Sequence, residues 1–411
     1  MQKSVDYKLF FTVLALIIFW MIMISSVSVY GSFRVTSSMA NAWLITEAYN
    51  HFYVIRNIIH VIMSCIVIWI VVKVPYKYFE KYAKHIFSFA IVLLIIVLII
   101  WASYKWARGW ISIPWVPFNI QPTEFLKFAV IVYLAAFFKQ YKKYLHTFNE
   151  GFLPFALVLW VIVLLVWAQP DFGTILVVVP VSFMMFFIAG ANVRYLALLF
   201  SLGVFLAIWV YAIGDYDKES WRNLNTFWYI TQRMDNFLAD SKEAIDNKTI
   251  NYQTEQALIA IGSWGFTWLW FGQSIQKFGY LPEVQWDFIF SVVAEELWFV
   301  GALVLLGMYL YIWYRWLMIS RYSKDAFAQY AAFGITCWIV LQAFINIGVN
   351  LNIVPLTGIT LPFISYGGSS LLSLSLWLAL LLSISRDIDP QQYKKLQKRH
   401  KKFSLTRYLW M

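Results

Sequence analysis

Acidic residues gather where an apolar chain has least use for them. In "LPEVQWDFIFSVVAEELW", residues 281–298, Glu283 and Asp287 stand directly before a long hydrophobic run, and Glu295 and Glu296 lie inside it. Trp286 and Phe288 flank Asp287, and partial desolvation by such neighbours raises a carboxylate pKa toward the range of a general base. The same aspartate is also placed as a helix N-cap, where free N–H groups and the helix dipole would lower its pKa. Spacing leaves both roles open. Glu295 lies about 12 Å deeper along the helix and some 80° around it, so it can face a polar cavity from below. Glu296 falls on the opposite side from Asp287 and is expected to be a buried pairing residue.

Further groups that could do chemistry recur at intervals. "QPTEFLK" carries Glu124 and Lys127, "QPDFGT" carries Asp171, and Arg56 and His60 open another apolar run. "YITQRMDNFLADSKEA" contributes Arg233, one apolar segment ends in Gln342, Asn346 and Asn350, and the next begins "LPFISYGGSS". Cations of this kind could neutralise a phosphorylated leaving group, because preorganised positive charge acts where negative charge develops. The five histidines are scattered without metal-ligand spacing, and the two cysteines, Cys65 and Cys337, fall in separate apolar runs. Neither a disulfide framework nor a cysteine metal site is indicated.

The elements that must position these groups are membrane helices. The chain is 61% hydrophobic and 13% charged over 411 residues, with mean hydropathy +0.67, whereas a soluble domain is near a quarter charged. An all-α polytopic membrane protein is expected, since every backbone amide in lipid must be satisfied within its own segment. Ten spans are predicted, at about 8–30, 55–73, 85–104, 121–138, 152–168, 172–190, 195–213, 288–314, 327–350 and 361–385. With both termini in the cytoplasm, the inner connections, the tail and the first residues hold 21 of the 32 Lys and Arg residues, while the short outer connections hold three. That asymmetry sets the orientation. Residues 1–385 then form one membrane domain, with 214–287 as a large extracytoplasmic loop carrying an interfacial helix around Arg233. Residues 386–411 form a basic cytoplasmic tail, whose "YKKLQKRHKK" suits anionic inner-leaflet lipid.

This topology places every intramembrane ionisable or amide-rich position in the outer half of the bilayer. A charge at mid-bilayer costs roughly 2.5–3.5 kcal/mol, so such groups are usually paired or functional. Each of Glu124, Lys127 and Asp171 alone is equally well explained as part of a buried ion cluster. Several helices agreeing on one depth point to a wet cavity of mixed charge, open outward and closed toward the cytoplasm. Pro122, Pro170, Pro282, Pro355 and Pro362 mark the outer helix boundaries. Gly367, Gly368, Ser369 and Ser370 serve first for close helix packing.

Four stretches carry a resemblance. "GWISIPWVPFNIQPTEFLK", "QPDFGTILVVVPVSFMMFFIAG", "QSIQKFGYLPEVQWDFIFSVVAEEL" and "NIGVNLNIVPLTGITLPFISYGGSSLL" resemble, in order, the motifs of the SEDS family, the FtsW/RodA-type peptidoglycan polymerases. "QKFGYLPE" is closer to the division branch, FtsW, than to the elongation branch, RodA. The resemblance implies that Asp287 is the catalytic carboxylate. It implies substrate-binding roles for Glu124, Lys127 and Asp171 in the cavity, with Glu283, Ser365 and Ser369 from the matching motifs and Arg56 and Arg233 as further cations. Val284, Gln285 and Trp286 depart from the usual run before the aspartate, and Trp298 stands where glycine is common.

The implied reaction is polymerisation of lipid II, a disaccharide-peptide on undecaprenyl diphosphate, at the outer face of the bacterial cytoplasmic membrane, for septal wall synthesis. The implied partners are lipid II, the nascent glycan strand, a class B penicillin-binding protein, divisome proteins and membrane lipid; no nucleic acid is expected. No cofactor is indicated, although a divalent cation (Mg or Mn) could assist the leaving diphosphate. The alternatives are a lipid II flippase, which would need polar lining through the inner half of the membrane, and an elongation-branch polymerase.

Overall fold

The computed structural model describes residues 7–101, 109–111, 119–216, 225–238, 250–263 and 270–388; the basic stretch 393–402 lies outside them. Fourteen α-helices are described: α1 (Tyr7–Val27), α2 (Val29–Asn41), α3 (Phe52–Lys73), α4 (Tyr76–Lys81), α5 (Ala83–Trp101), α6 (Pro122–Gln140), α7 (Leu153–Trp167), α8 (Phe172–Ile188), α9 (Val193–Tyr216), α10 (Asn225–Leu238), α11 (Ile250–Gly262), α12 (Ile289–Tyr322), α13 (Ala326–Asn350) and α14 (Gly368–Ser385). A helix occupies each of the ten expected ranges. Among the described residues seven helical runs are long and apolar enough to cross a membrane: those of α1, α3, α7, α9, α12, α13 and α14. The α5 and α8 apolar runs are shorter, and α6 carries Glu124, Lys127 and Lys139 along its length. Among the described residues the only bridge pairing is Ile111 with Ile120.

α2 falls where a connection was expected, as do α4, within 73–84, and α11, within the 214–287 loop. α2 is rich in Ser and Thr, so its composition reads as a loop. Its buried hydroxyls are engaged within the fold: Thr36 Oγ1 donates to the Ser32 carbonyl (2.8 Å) and accepts from Tyr49 N–H (2.9 Å), and Ser32 Oγ accepts from Tyr53 N–H (3.3 Å). The polar residues thereby tie the following loop back onto the helix.

α13 and α14 form the interior, whereas the apolar window of α9 has none of its residues buried within the chain. Close approach is bought by small residues. A Cβ on Gly334 of α13 would lie 2.5 Å from Met185 Sδ on α8 and 3.0 Å from Ile131 on α6. Aromatic contacts fill the remainder, with Phe155 stacked on Phe186 at 4.2 Å and Trp338 edge-on to Trp377 at 5.6 Å.

Polar contacts sort to the two ends of the bundle. At one end Lys139 binds Glu80 and Asp325, each at 2.6 Å, and Ser383 and Arg386 donate to the Val74 and Val72 carbonyls. A cleft of about 690 Å³ opens there among Glu80, Lys84, Tyr133, Tyr141 and Glu150. At the other end a row of amides spaced four residues apart lies on one face of α13. Gln342 Nε2 donates to the Thr360 carbonyl (2.9 Å). Asn346 Nδ2 donates to the carbonyls of Ile359 (2.7 Å) and Asp287 (2.8 Å). Asn350 Nδ2 donates to Asp287 O (3.0 Å), while its Oδ1 accepts from Ser291 N–H and Oγ. The row clamps two non-helical segments, 282–288 and 351–367, to the bundle.

α12 is two helices joined at a break. Trp298 has φ 58° and ψ −170°, a region almost reserved for glycine. Just beyond it, a Cβ on Gly301 would lie 2.2 Å from Leu297 Cβ, so the chain folds tightly over the preceding turn.

Glycine in a helix is normally about 1 kcal/mol worse than alanine. At position 298 the order should reverse, with Trp298→Gly more stable than Trp298→Ala by about 1 kcal/mol; thermal unfolding of the two purified variants measures it. Replacing Asn346 with leucine strands the Ile359 carbonyl and should cost about 1–3 kcal/mol. An unfolding midpoint equal to that of the parent chain would remove the amide row from the account of stability.

Candidate functional site

The segment 282–288 is shaped before it is packed. Glu283 has φ +54°, and its carbonyl accepts the N–H groups of Trp286 (3.0 Å) and Asp287 (3.2 Å), closing a tight turn. The Gln285 carbonyl accepts Tyr366 N–H at 2.8 Å, and the Asp287 carbonyl takes both asparagine amides. Three anchors thus fix the backbone around one aspartate.

The N-cap reading of Asp287 does not hold. Phe288 occupies the cap position of α12 and makes no side-chain cap bond. The Ser291 N–H is satisfied from outside by Asn350, which leaves the Asp287 carboxylate free of capping duty. Its Oδ2 lies 3.7 Å from where a Cβ on Gly358 would stand, and Gly358 has φ +72°. Glycine there gives both the backbone shape and room before the carboxylate. Burial pushes the Asp287 pKa up to about 7; the nearby Glu283 charge adds to the rise and Arg233 opposes it. Glu283 is itself raised by desolvation.

The candidate cations reach the same region by different routes. Arg233 on α10 donates from Nη1 to the Leu356 carbonyl at 2.5 Å. Lys127 is buried on α6, 2.7 Å from Glu124 Oε1 and 3.3 Å from Gln342 Oε1. Gln342 also accepts from Trp338 Nε1 and donates to Thr360, so the ion pair connects to the 351–367 segment through a single amide. Arg56 lies over the Phe52 ring at 4.6 Å, with its charge close to Tyr366. Tyr366 meets Tyr53 and Trp286 edge-on, with centroids 5.1 and 6.3 Å away. Arg233, Arg56 and Lys127 therefore converge, directly or through Gln342, on the segment that faces Asp287.

The other expected site residues are engaged structurally. Asp171 caps α8, accepting from Thr174 N–H (3.0 Å) and Thr174 Oγ1 (2.8 Å); it makes no ion pair with Lys127 among the described contacts. Its helix still abuts the site, since a Cβ on Gly173 would lie 2.9 Å from the Thr357 carbonyl. Ser365 Oγ accepts Leu361 N–H. Ser369 Oγ donates to Asn119 O and accepts Gln121 N–H, joining the start of α14 to the start of α6.

Glu295 turns away from the cavity expected for it. It accepts from Ser274 Oγ (2.5 Å), Ile275 N–H (3.0 Å) and Gln276 N–H (3.4 Å). Glu296 is paired, as its helix position suggested, and its partner is Lys277 at 2.7 Å. Lys277 was not singled out from the sequence. The available signal was a lone lysine in "QSIQKFGYLPE" with a buried carboxylate still lacking a partner.

The arrangement can accept a proton at Asp287 near neutral pH while holding positive charge close by. Comparison with known proteins gives the setting. The profile of a family described as cell cycle protein, FtsW/RodA/SpoVE, matches residues 7–389. A protein named probable peptidoglycan glycosyltransferase FtsW from Pasteurella multocida is 36% identical, covering 81% of each chain. Stage V sporulation protein E of Bacillus subtilis is 32% identical over 82% of this chain and 87% of its own. Among solved structures, a chain of a peptidoglycan synthase complex that coordinates polymerization and crosslinking matches with TM-score 0.70 at 22% identity, covering 93% of this chain and 98% of its own. The rod shape determining protein RodA of Thermus thermophilus matches with TM-score 0.63 at 23% identity, covering 94% and 98%. With the profile spanning almost the whole chain and relatives above 30% identity across four-fifths of it, the chain belongs to the FtsW/RodA/SpoVE family of cell cycle proteins.

Proposed function

We propose that the protein is a peptidoglycan glycosyltransferase of the division type, polymerising lipid II at the outer face of the cytoplasmic membrane. The observation that carries this reading is Asp287. Its carboxylate is spared from helix capping, raised toward neutrality and set against the bare backbone of Gly358. The relatives named peptidoglycan glycosyltransferase support the reaction class.

In the proposed reaction Asp287 removes the proton from the acceptor sugar's 4-hydroxyl. That oxygen forms a bond to the anomeric carbon of the growing strand as the bond to the lipid diphosphate breaks, and the configuration inverts. The electron pair leaves on the diphosphate, which Arg233, Arg56 and Lys127 would neutralise. Among the described residues no three His, Cys, Asp or Glu side chains gather as a metal cage. A divalent cation shared between the diphosphate and one or two carboxylates would need no such cage.

Ten spans with both termini in the cytoplasm fit this chemistry. The Lys139–Glu80–Asp325 knot then lies on the cytoplasmic side and Asp287 on the outer side, the arrangement supported by the Lys and Arg distribution. Residues 214–287 become an outer loop, with α10 bringing Arg233 to the site, and 386–411 an inner basic tail. The likeness to a chain of a polymerising and crosslinking complex supports a transpeptidase partner. Lipid II, the nascent strand and other division proteins complete the proposed partner set, at the septum.

The test is reconstitution with a class B penicillin-binding protein and fluorescent lipid II supplied on the outside. Polymer should form, and Asp287→Asn should lower the rate about 10²–10⁴-fold. Because the active form is the carboxylate, kcat/KM should rise with pH through about 7. Lipid scrambling without polymer would favour a flippase instead, and full polymerisation by Asp287→Asn would remove Asp287 from the reaction.

A further inference from the structure

The most deeply buried ion pair among the described residues takes no part in the chemistry above. Lys277 Nζ lies 2.7 Å from Glu296 Oε1 and 2.8 Å from Ser26 Oγ, and Ser26 Oγ donates to the same carboxylate oxygen at 2.6 Å. The two charged side chains are 2% and 0% exposed. Three elements meet there: α1, the first half of α12, and the segment leading to Asp287.

The covalent geometry gives this contact its meaning. Residues 277–296 form a stretch of chain closed on itself by the ion pair, and Asp287 stands near its middle. The segment before Asp287 is held at its start by two consecutive carboxylates: Glu295 takes the hydroxyl of Ser274 and the N–H groups of residues 275 and 276, and Glu296 takes Lys277. Between the clamps, Gly279 (φ +98°) packs so closely on Tyr30 that a Cβ would lie 2.7 Å from the ring. At the far end the bonds from Tyr366, Asn346 and Asn350 take over. Directly after Glu296, α12 breaks at Trp298. The pair therefore belongs to the half of α12 that directly follows Asp287.

Burying two charges is a poor way to gain stability, because well-packed apolar residues in their place are often neutral or better. What an ion pair adds is direction and length: it is satisfied at one register only. We propose that the Lys277–Glu296 pair, completed by Ser26, is a positioning device that sets the placement of Asp287 for glycosyl transfer. This rests on the polymerase reading.

The experiment uses the full chain with its transpeptidase partner and lipid II, comparing the parent with Glu296→Asp and with the double replacement Lys277→Met/Glu296→Leu. The first shortens the pair by one methylene while keeping both charges; the second removes both charges and keeps the bulk. Both should purify as monodisperse protein with unfolding midpoints near the parent. Both should lose kcat, by up to about 10²-fold for a misplacement on the order of 1 Å. KM should change no more than about threefold, and the acid limb of the pH–rate profile should shift by about half a unit as the surroundings of Asp287 change. A stable variant of either kind with parental kcat and pH limb overturns the proposal. Failure of both variants to fold assigns the pair to stability alone and overturns it too. Absence of polymer from the parent chain would overturn the polymerase reading itself, and is distinguished by that control.

Discussion

Two irregular segments must lie side by side within a bundle of apolar helices, and the amide row of α13 is what makes this tolerable. A non-helical backbone buried among membrane helices exposes carbonyls that neither water nor its own segment can satisfy. Gln342, Asn346 and Asn350 supply donors at one-turn spacing, and each reaches a carbonyl of 282–288 or 351–367 or a neighbouring amide. Without that row the two segments would have to become helical or leave the bundle. In either case the carboxylate of Asp287 would no longer face Gly358.

The same row separates two tasks that a single aspartate could not perform together. An N-cap carboxylate is stabilised in its charged form and becomes a weaker base. Here Asn350 serves the first turn of α12 from the neighbouring helix, and Asp287 keeps its proton affinity. The charged groups divide in a similar way. Lys127 and Glu124 satisfy one another with Gln342 as third partner, Glu295 and Glu296 secure the approach to Asp287, and Arg233 arrives on a separate helix to temper the carboxylate. Buried charge in this molecule is chiefly a means of fixing backbone, and one carboxylate is left over for reaction.

The helices were legible because hydrophobic runs are properties of whole segments. Asp287, Glu124 and Lys127 could be singled out for the same reason: a charge in an apolar run is visible wherever it points. α2 was not legible, because its Ser and Thr residues are satisfied by a carbonyl one turn back and by Tyr49, neither of which leaves a trace in composition. Asp171 and Glu295 could be singled out but not given partners; one caps its own helix and the other binds a segment about twenty residues earlier. The Lys277–Glu296 pair shows the limit most clearly. Each half was written in the sequence, and the halves meet through tertiary contacts, among them the tight packing of Gly279 against Tyr30 and the Glu295 bonds to 274–276. The break at Trp298 left one trace, a tryptophan where the resembled motif commonly has glycine, and its backbone is one that glycine would prefer.

Gly358 has one more consequence. Across from Asp287 the molecule presents main chain rather than side chains, held by bonds to the carbonyls of Leu356, Ile359 and Thr360. An inhibitor resting on that surface would contact atoms common to every amino acid. Replacing the glycine itself would force a side chain onto a backbone with φ +72°, directly beside the carboxylate on which the enzyme depends.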